Sequence, residues 1–318
     1  MERILISGAS GLIGSALGSS LESHGHEVTR LVRRPARTPY EIPWDPLHRI
    51  PPDLVSGFEA VIHLSGESVA GRWTEAKKKR IGDSRVVSTQ NLAQALADAK
   101  QRPSTLVCAS AIGYYGNRGD QLLSEESPSG TGFLPEVCRQ WEAATHLAAH
   151  AGIRTVNLRI GLVLSRDGGA LKQMLLPFRF GLGGRIGSGR QWWSWIHISD
   201  LVAAVDHILQ NTFADSTTIV EPQTIVERRA SPPGLQLTGA INMVSPNPVT
   251  NAEFTRTLAK VLKRPAILPI PAFAARLAFG ELADEGVLAS TKVEPRKLME
   301  SGFEFEFPQL GWALQNIL

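Results

Sequence analysis

The seven residues Gly8-Ala9-Ser10-Gly11-Leu12-Ile13-Gly14 constrain this chain more than any other stretch. They follow the β-branched run Ile4-Leu5-Ile6 at once and open a helical stretch over about 12–24, closed by Gly25. A strand that turns within a few residues into a helix belongs to a βα unit of a parallel sheet. Each glycine in this spacing has its own task. Gly8 permits the tight turn, Gly11 lets the backbone approach a ligand, and Gly14 lets the helix lie close on the sheet. The helix start offers unpaired N–H groups and a partial positive charge, which suits a pyrophosphate. Gly8, Ser10, Gly11, Leu12, Ile13 and Gly14 are thus the expected contacts of a dinucleotide.

Beyond the turn the pattern repeats. Strands are expected at 27–32, 60–64, 105–109 and 154–158, with helices over 83–100 and 134–150. Val137, Trp141, Ala144 and Ala148 recur at helical spacing and share one face. Strand alternating with helix predicts an α/β, Rossmann-type doubly wound parallel sheet, here with a small, mostly helical C-terminal lobe. Residues 1–165 are read as the nucleotide-binding domain. Residues 166–239 are read as a glycine-rich substrate-side segment, a returning helix over 199–210 capped by Ser199, and a mobile loop over 211–239. Residues 240–318 are read as the lobe, with one strand at 240–244 returning to the sheet. A helix over 251–262 and a strand at 266–268 are expected within it.

The end of the second strand selects the cofactor. An NAD site places an acid there to bond the ribose 2′-OH. This chain has Thr29-Arg30-Leu31-Val32-Arg33-Arg34, with Arg33 nineteen residues past Gly14. Adjacent guanidiniums suit a 2′-phosphate, so NADP(H) is expected, held by Arg33 and Arg34.

Composition narrows the class. Of 318 residues 43% are hydrophobic and 20% charged, which is globular rather than disordered. A net charge of +3 implies no committed nucleic-acid surface, and Lys77-Lys78-Lys79-Arg80 reads as a solvated helix face. The two cysteines, Cys108 and Cys138, make neither a disulfide framework nor a metal site. No signal peptide or membrane-spanning run is expected, so the protein is read as cytoplasmic.

The motifs resemble the extended and atypical members of the short-chain dehydrogenase/reductase superfamily. His63-Leu64-Ser65-Gly66-Glu67, Ser110-Ala111-Ile112-Gly113-Tyr114-Tyr115-Gly116 and Trp141-Glu142-Ala143-Ala144 carry the likeness. So do Arg179 to Gly184, Gly187 to Gln191 and Ser194 to Leu201. They look like the group called epimerase family proteins, some of them labelled SulA-type cell-division inhibitor homologues. The stretch from Leu268-Pro269-Ile270-Pro271 to Pro295-Arg296-Lys297-Leu298 resembles that group's C-terminal domain of unknown function.

The resemblance implies that Leu64, Ser65 and Gly66 lie along the cofactor, with Arg85 and Leu134 as further contacts. It also implies a small-molecule substrate and a homodimer. Active superfamily members use Ser, Tyr and Lys for proton transfer: the Tyr moves the proton, the Lys lowers its pKa, and the Ser polarises the oxygen. The corresponding positions here are Ala111, Leu134 and Cys138. Tyr114, Tyr115 and Cys138 are the substitute catalytic candidates. Arg185, Arg190, Trp192 and His197 are the expected substrate contacts, since Arg and Trp can bind an anion and stack a ring. Two functions stay open: an NADP(H)-dependent oxidoreductase or epimerase-like enzyme, and a catalytically impaired NADP(H)-sensing regulator.

Overall fold

A computed structural model describes residues 1–213 and 237–318 of the chain. Among these, seven strands form one parallel sheet: β1 (Arg3–Ser7), β2 (Glu27–Val32), β3 (Glu41–Pro43), β4 (Ala60–His63), β5 (Thr105–Ala111), β6 (Arg154–Ile160) and β7 (Gly239–Met243). Their order across the sheet is β7-β6-β5-β4-β1-β2-β3. The chain runs outward from β1 through β2 and β3, then returns to β4 and runs the other way. The reversal between β1 and β4 is the topological switch point, where open α/β sheets place their ligands.

Alternation fixes the layers. Ile4, Ile6, Val28, Ile62 and Val107 face one side, against α1 (Leu12–Ser23) and α7 (Ile198–Phe213). Leu5, Leu31, Val61 and Leu106 face the other, against Leu92, Ala93 and Leu96 of α3 (Val86–Asp98). Both faces are covered, which is why the strands read as apolar runs rather than alternating ones.

The expected helix over 83–100 is two pieces, α2 (Glu75–Asp83) and α3. The chain turns at Ser84 and Arg85, whose N–H groups bond Arg80 and Gly82 carbonyls, and Arg85 takes the cap position of α3. The expected helix over 134–150 is likewise split, into α4 (Phe133–Ala144) and α5 (His146–His150). Thr145 interrupts it: its hydroxyl donates to the Glu142 carbonyl at 2.7 Å and accepts from Asn157 at 3.3 Å.

The basic run on α2 is neutralised locally. Lys77 and Arg80 face Glu67, Lys78 faces Glu281, and Lys79 pairs with Asp83. Lys77 and Lys78 are thereby shielded, with side chains only 15% and 21% exposed, rather than solvated as expected.

The lobe packs α6 (Gly169–Arg179), α8 (Asn251–Leu262) and α11 (Leu310–Ile317) around Leu171, Leu175, Trp195, Phe254, Leu258 and Leu314. Short helices α9 (Ala272–Phe279) and α10 (Arg296–Glu300) complete it. Residues 266–268 form no strand. They run as coil, and Ile270 alone bridges to Ile186. Helix α7 begins at Ile198, so Ser199 lies inside it rather than capping it, and its N–H donates to His197 Nδ1. Of the loop expected over 211–239, residues 211–213 end α7 and Gly239 opens β7; residues 214–236 lie outside the described residues. No described helix is long and apolar enough to cross a membrane, and no described cluster of side chains has the makings of a metal site.

Candidate functional site

The glycine turn sits over the switch point and is shaped by contacts no side chain would tolerate. Gly8 has φ of +71°, and a Cβ on it would lie 2.7 Å from the Leu64 carbonyl carbon. A Cβ on Gly14 would lie 2.3 Å from the Gly8 oxygen. The first turn of α1 holds no acidic residue and no side-chain cap, so its N–H groups remain available to an anion.

Beside the turn is a cavity of about 340 Å³. Gly8, Gly11, Leu12, Ile13, Gly14 and Leu64 line one side of it; Ala109, the segment Ile160–Val163, Gly169 and Ala170 line the other. Expected contacts Gly8, Gly11, Leu12, Ile13, Gly14 and Leu64 are thus brought together. Ser10 is exposed on the turn, and Ser65 follows Leu64 under Gly8. The far wall was missed in the sequence reading. Its one legible signal is Gly168-Gly169, of which Gly169 has φ of +69° and packs on Leu12.

The two arginines after β2 part company. Arg34 gives both Nη groups to Glu41, at 2.8 and 2.6 Å, and holds that carboxyl down to about 2. Glu41 reaches Arg34 because β3 pairs beside β2, a contact that sequence spacing hides. Arg33 is exposed, and its side chain makes no hydrogen bond. Of the two, Arg34 is engaged by Glu41, whereas Arg33 has no hydrogen-bonded carboxylate.

The positions of the usual Ser, Tyr and Lys converge without that chemistry. Leu134 and Cys138 flank Gly113, where a Cβ would meet Leu134 Cβ at 3.5 Å and Cys138 Sγ at 3.9 Å. The Cys138 thiol is buried, and burial pushes it up to about 12. At neutral pH it is a thiol, not the thiolate that reacts. Ser110 is not free to serve either, for its hydroxyl donates to Glu142 at 2.7 Å.

Tyr115 is also removed from the cleft. It is fully buried, and its hydroxyl donates to Asn242 Oδ1 at 2.7 Å and accepts from Arg159 at 3.0 Å. Burial pushes the phenol up to about 12. Tyr114 is half-buried, with the Arg159 guanidinium 3.5 Å from its ring centroid. Of the two tyrosines, only Tyr114 keeps access to solvent.

The expected substrate contacts do not assemble. His197 is buried on the strand Trp195–His197 and stacks on Phe307 at 4.1 Å. Arg185 bonds carbonyls of its own loop, Gly187 and Ser188. Trp192 donates to Asp120 and lies under Lys292, while Arg190 is exposed. Trp193 and Trp195 pack in the lobe's own core, Trp193 on Phe254.

The sequence reading passed over an ion pair beneath the site. Arg159 at the end of β6 donates to both oxygens of Glu142 on α4, each at 2.8 Å. It also missed Glu285 of the lobe, whose two oxygens accept the N–H groups of Phe133 and Leu134 at 2.9 and 2.7 Å. That carboxylate caps the helix carrying Leu134 and Cys138.

Known proteins place these features. Residues 4–220 match the NAD dependent epimerase/dehydratase family, and residues 270–317 match a domain of unknown function, DUF1731. An epimerase family protein of Mycobacterium bovis, Mb2239, is 41% identical over 313 residues, covering 98% of this chain and 96% of that one. The crystal structure of human epimerase family protein SDR39U1 (isoform 2) with NADPH superposes with a TM-score of 0.85 at 36% identity, covering 99% of this chain and 98% of that one. MoeE5 in complex with UDP-glucuronic acid and NAD shares the fold at a TM-score of 0.71 and 22% identity, over 98% of this chain and 96% of that one. A switch-point cleft built on Gly8, Gly11 and Gly14, the match over residues 4–220 and a relative alike from end to end lead to one conclusion: the chain belongs to the NAD dependent epimerase/dehydratase family.

Proposed function

We propose that the protein binds NADP(H) in the cleft over the glycine turn and acts on a small molecule beside it as an oxidoreductase or epimerase-like enzyme. The observation that carries the reading is the cradle itself, in which a Cβ on Gly8 or Gly14 would strike backbone while the helix N–H groups above stay unpaired. The human relative crystallised with NADPH supports the choice of cofactor. When bound, a nicotinamide cofactor supplies a hydride donor or acceptor. The chain's own residues do the rest. Gly8, Gly11 and Gly14 admit the pyrophosphate. Leu12, Ile13, Leu64 and the Ile160–Val163 segment keep water from the cofactor. Arg33 holds the 2′-phosphate. Tyr114 is the remaining tyrosine for proton transfer, with the Arg159 guanidinium 3.5 Å from its ring centroid.

Fluorescence titration of the purified chain tests this. NADPH is expected to bind at least about tenfold more tightly than NADH, and Arg33→Ala to remove that preference, since a charge-assisted pair contributes about 1.5–3 kcal/mol. Equal affinity for both cofactors in the wild type refutes the assignment. NADPH oxidation across a panel of carbonyl compounds tests turnover, and Tyr114→Phe is expected to abolish it.

A second reading, an NADP(H)-sensing protein without turnover, is favoured by one observation. Leu134 and the Cys138 thiol, held up to about 12, stand where the superfamily resemblance places the proton-transfer pair. Tight NADPH binding with no turnover on any carbonyl compound would select it.

A further inference from the structure

Two arginines are sunk near the carboxyl edge of the sheet, and they are treated differently. Arg159 is neutralised in place by the two oxygens of Glu142, with the Tyr115 hydroxyl and the Glu125 carbonyl accepting from its remaining edge. Arg85 has no such partner. It sits at the start of α3, half-buried, with its guanidinium 5.0 Å from the Trp141 ring centroid. It packs under Gly66, where a Cβ would come within 3.3 Å of Cζ and Nη2.

Only Nη1 of Arg85 is bonded, to the carbonyls of Glu67 and Ile81 and to the Ser84 hydroxyl. Nε and Nη2 form no hydrogen bond, and that edge is the fork that fits a carboxylate or phosphate. No carboxylate is in contact with it. Glu67, whose backbone Arg85 grips, spends its own carboxylate on Lys77 at 2.6 Å. Burial pulls the Arg85 guanidinium below its ordinary pKa, against the opposing pull of the Glu67 charge. A half-buried guanidinium edge with no carboxylate in contact is costly to hold and is open to an anionic ligand.

Its place says what it is for. Trp141 and Cys138 are three residues apart on α4, and Leu134 is one turn earlier. Arg85 therefore stands between α4 and Gly66, two residues past the cavity-lining Leu64. None of its α4 neighbours Leu134, Cys138 and Trp141 carries a charge, so the cation there comes from α3.

We propose that Arg85 is the anion-recognition residue of the cleft, its Nε–Nη2 edge taking an oxyanion, carboxylate or phosphate, of the small-molecule substrate. The inference rests on the reading of the cleft as a cofactor site with a substrate beside it. It assigns the substrate to the anionic class, takes the anion-binding role away from Arg185 and Arg190, and moves Arg85 from the cofactor contact that the resemblance implies to the substrate.

The test uses the full chain with pyruvate and inorganic phosphate as probes and acetamide as neutral control. Binding is measured by calorimetric titration with and without saturating NADP⁺, and NADPH affinity is measured separately. Saturable binding of at least one anion is expected. Its Kd should rise at least tenfold in Arg85→Met and less in Arg85→Lys, while acetamide does not bind and the NADPH Kd moves less than threefold. Arg85→Lys keeps the charge, so it decides the matter even if Arg85→Met fails to fold. Failure of both anions to bind the wild type overturns the proposal, as does unchanged anion binding in the variants. A tenfold loss of NADPH affinity in parallel also overturns it, because it would assign Arg85 to the cofactor's phosphates. If NADPH does not bind the wild type, the cofactor reading fails, and the anion titrations without NADP⁺ still decide the role of Arg85.

Discussion

Arg159 and Glu142 form a buried pair whose side chains are only 5% and 13% exposed, so removing one partner strands the other. Glu142→Gln is expected to cost about 3–5 kcal/mol by urea denaturation. A loss below about 1 kcal/mol would mean that the pair is not sealed from water. His63 makes a separate prediction. It is fully buried between the Ser7 and Ser88 hydroxyls, at 2.6 and 3.3 Å, and burial lowers it to about 4. The unfolded chain binds a proton near pH 6.5 and the folded chain only near 4, so the neutral ring's contribution is intact above pH 6.5. It is lost as pH falls from 6.5 to 4, and at pH 5 the loss is about 2 kcal/mol. Stability measured at pH 7 and pH 5 checks this, and His63→Gln should flatten the profile by that amount. At this scale the sequence was partly legible. The glycines were readable because local spacing dictates their geometry. Tyr115, Arg34 and His197 were misread because their partners (Asn242, Glu41 and Phe307) come from other strands or from the lobe.

Helix α1 and helix α4 are fixed by opposite means, the first by absence of side chains and the second by a carboxylate. Gly14→Ala must push a methyl to within 2.3 Å of the Gly8 oxygen, and backbone cannot step aside. A loss of about 3 kcal/mol is expected, together with loss of NADPH binding. Gly82 supplies the contrast: it is helical in α2, with open space where a Cβ would go. Gly82→Ala should raise stability by up to about 1 kcal/mol. Thermal unfolding of the two variants side by side distinguishes a packing requirement from mere helix propensity, and equal behaviour would contradict both predictions. For α4, Glu285→Ala leaves the N–H groups of Phe133 and Leu134 unbonded and is expected to cost about 1–2 kcal/mol. Elements were the most legible level of the sequence. Helix α8 and strand β2 fall where periodicity puts them, since apolar spacing alone defines both. The splits at Arg85 and Thr145 were not legible, because each depends on one backbone or hydroxyl bond that leaves the apolar stripe unbroken.

The lobe and the sheet are joined through chain that crosses between them three times, from β6 to α6, from α6 to α7 and from β7 to α8. Strand β7 comes from beyond residue 238 and pairs with β6 in register from Gly239↔Val156 to Met243↔Ile160. Glu125 then accepts the N–H groups of Asn242 on β7 and Lys297 on α10, at 3.1 and 3.3 Å. Asp200 on α7 accepts those of Glu306 and Phe307 at 2.8 and 3.1 Å, and Leu298 lies in the same core cluster as Ile4 and Val156. Neither part can leave without exposing the other's core and stranding buried carboxylates. One cooperative transition is therefore expected, with near-ultraviolet and far-ultraviolet circular dichroism melting together. A ligand that binds only the folded state raises that single transition by RT ln(1 + [L]/Kd), about 2.7 kcal/mol at a hundredfold excess over Kd. NADPH should move both probes by the same amount, although only Gly169, Ala170 and their neighbours on the lobe side line the cavity. Two separated transitions, with NADPH shifting the sheet's alone, would show that the lobe folds by itself and that β7 is an appended strand rather than the tie that makes one unit.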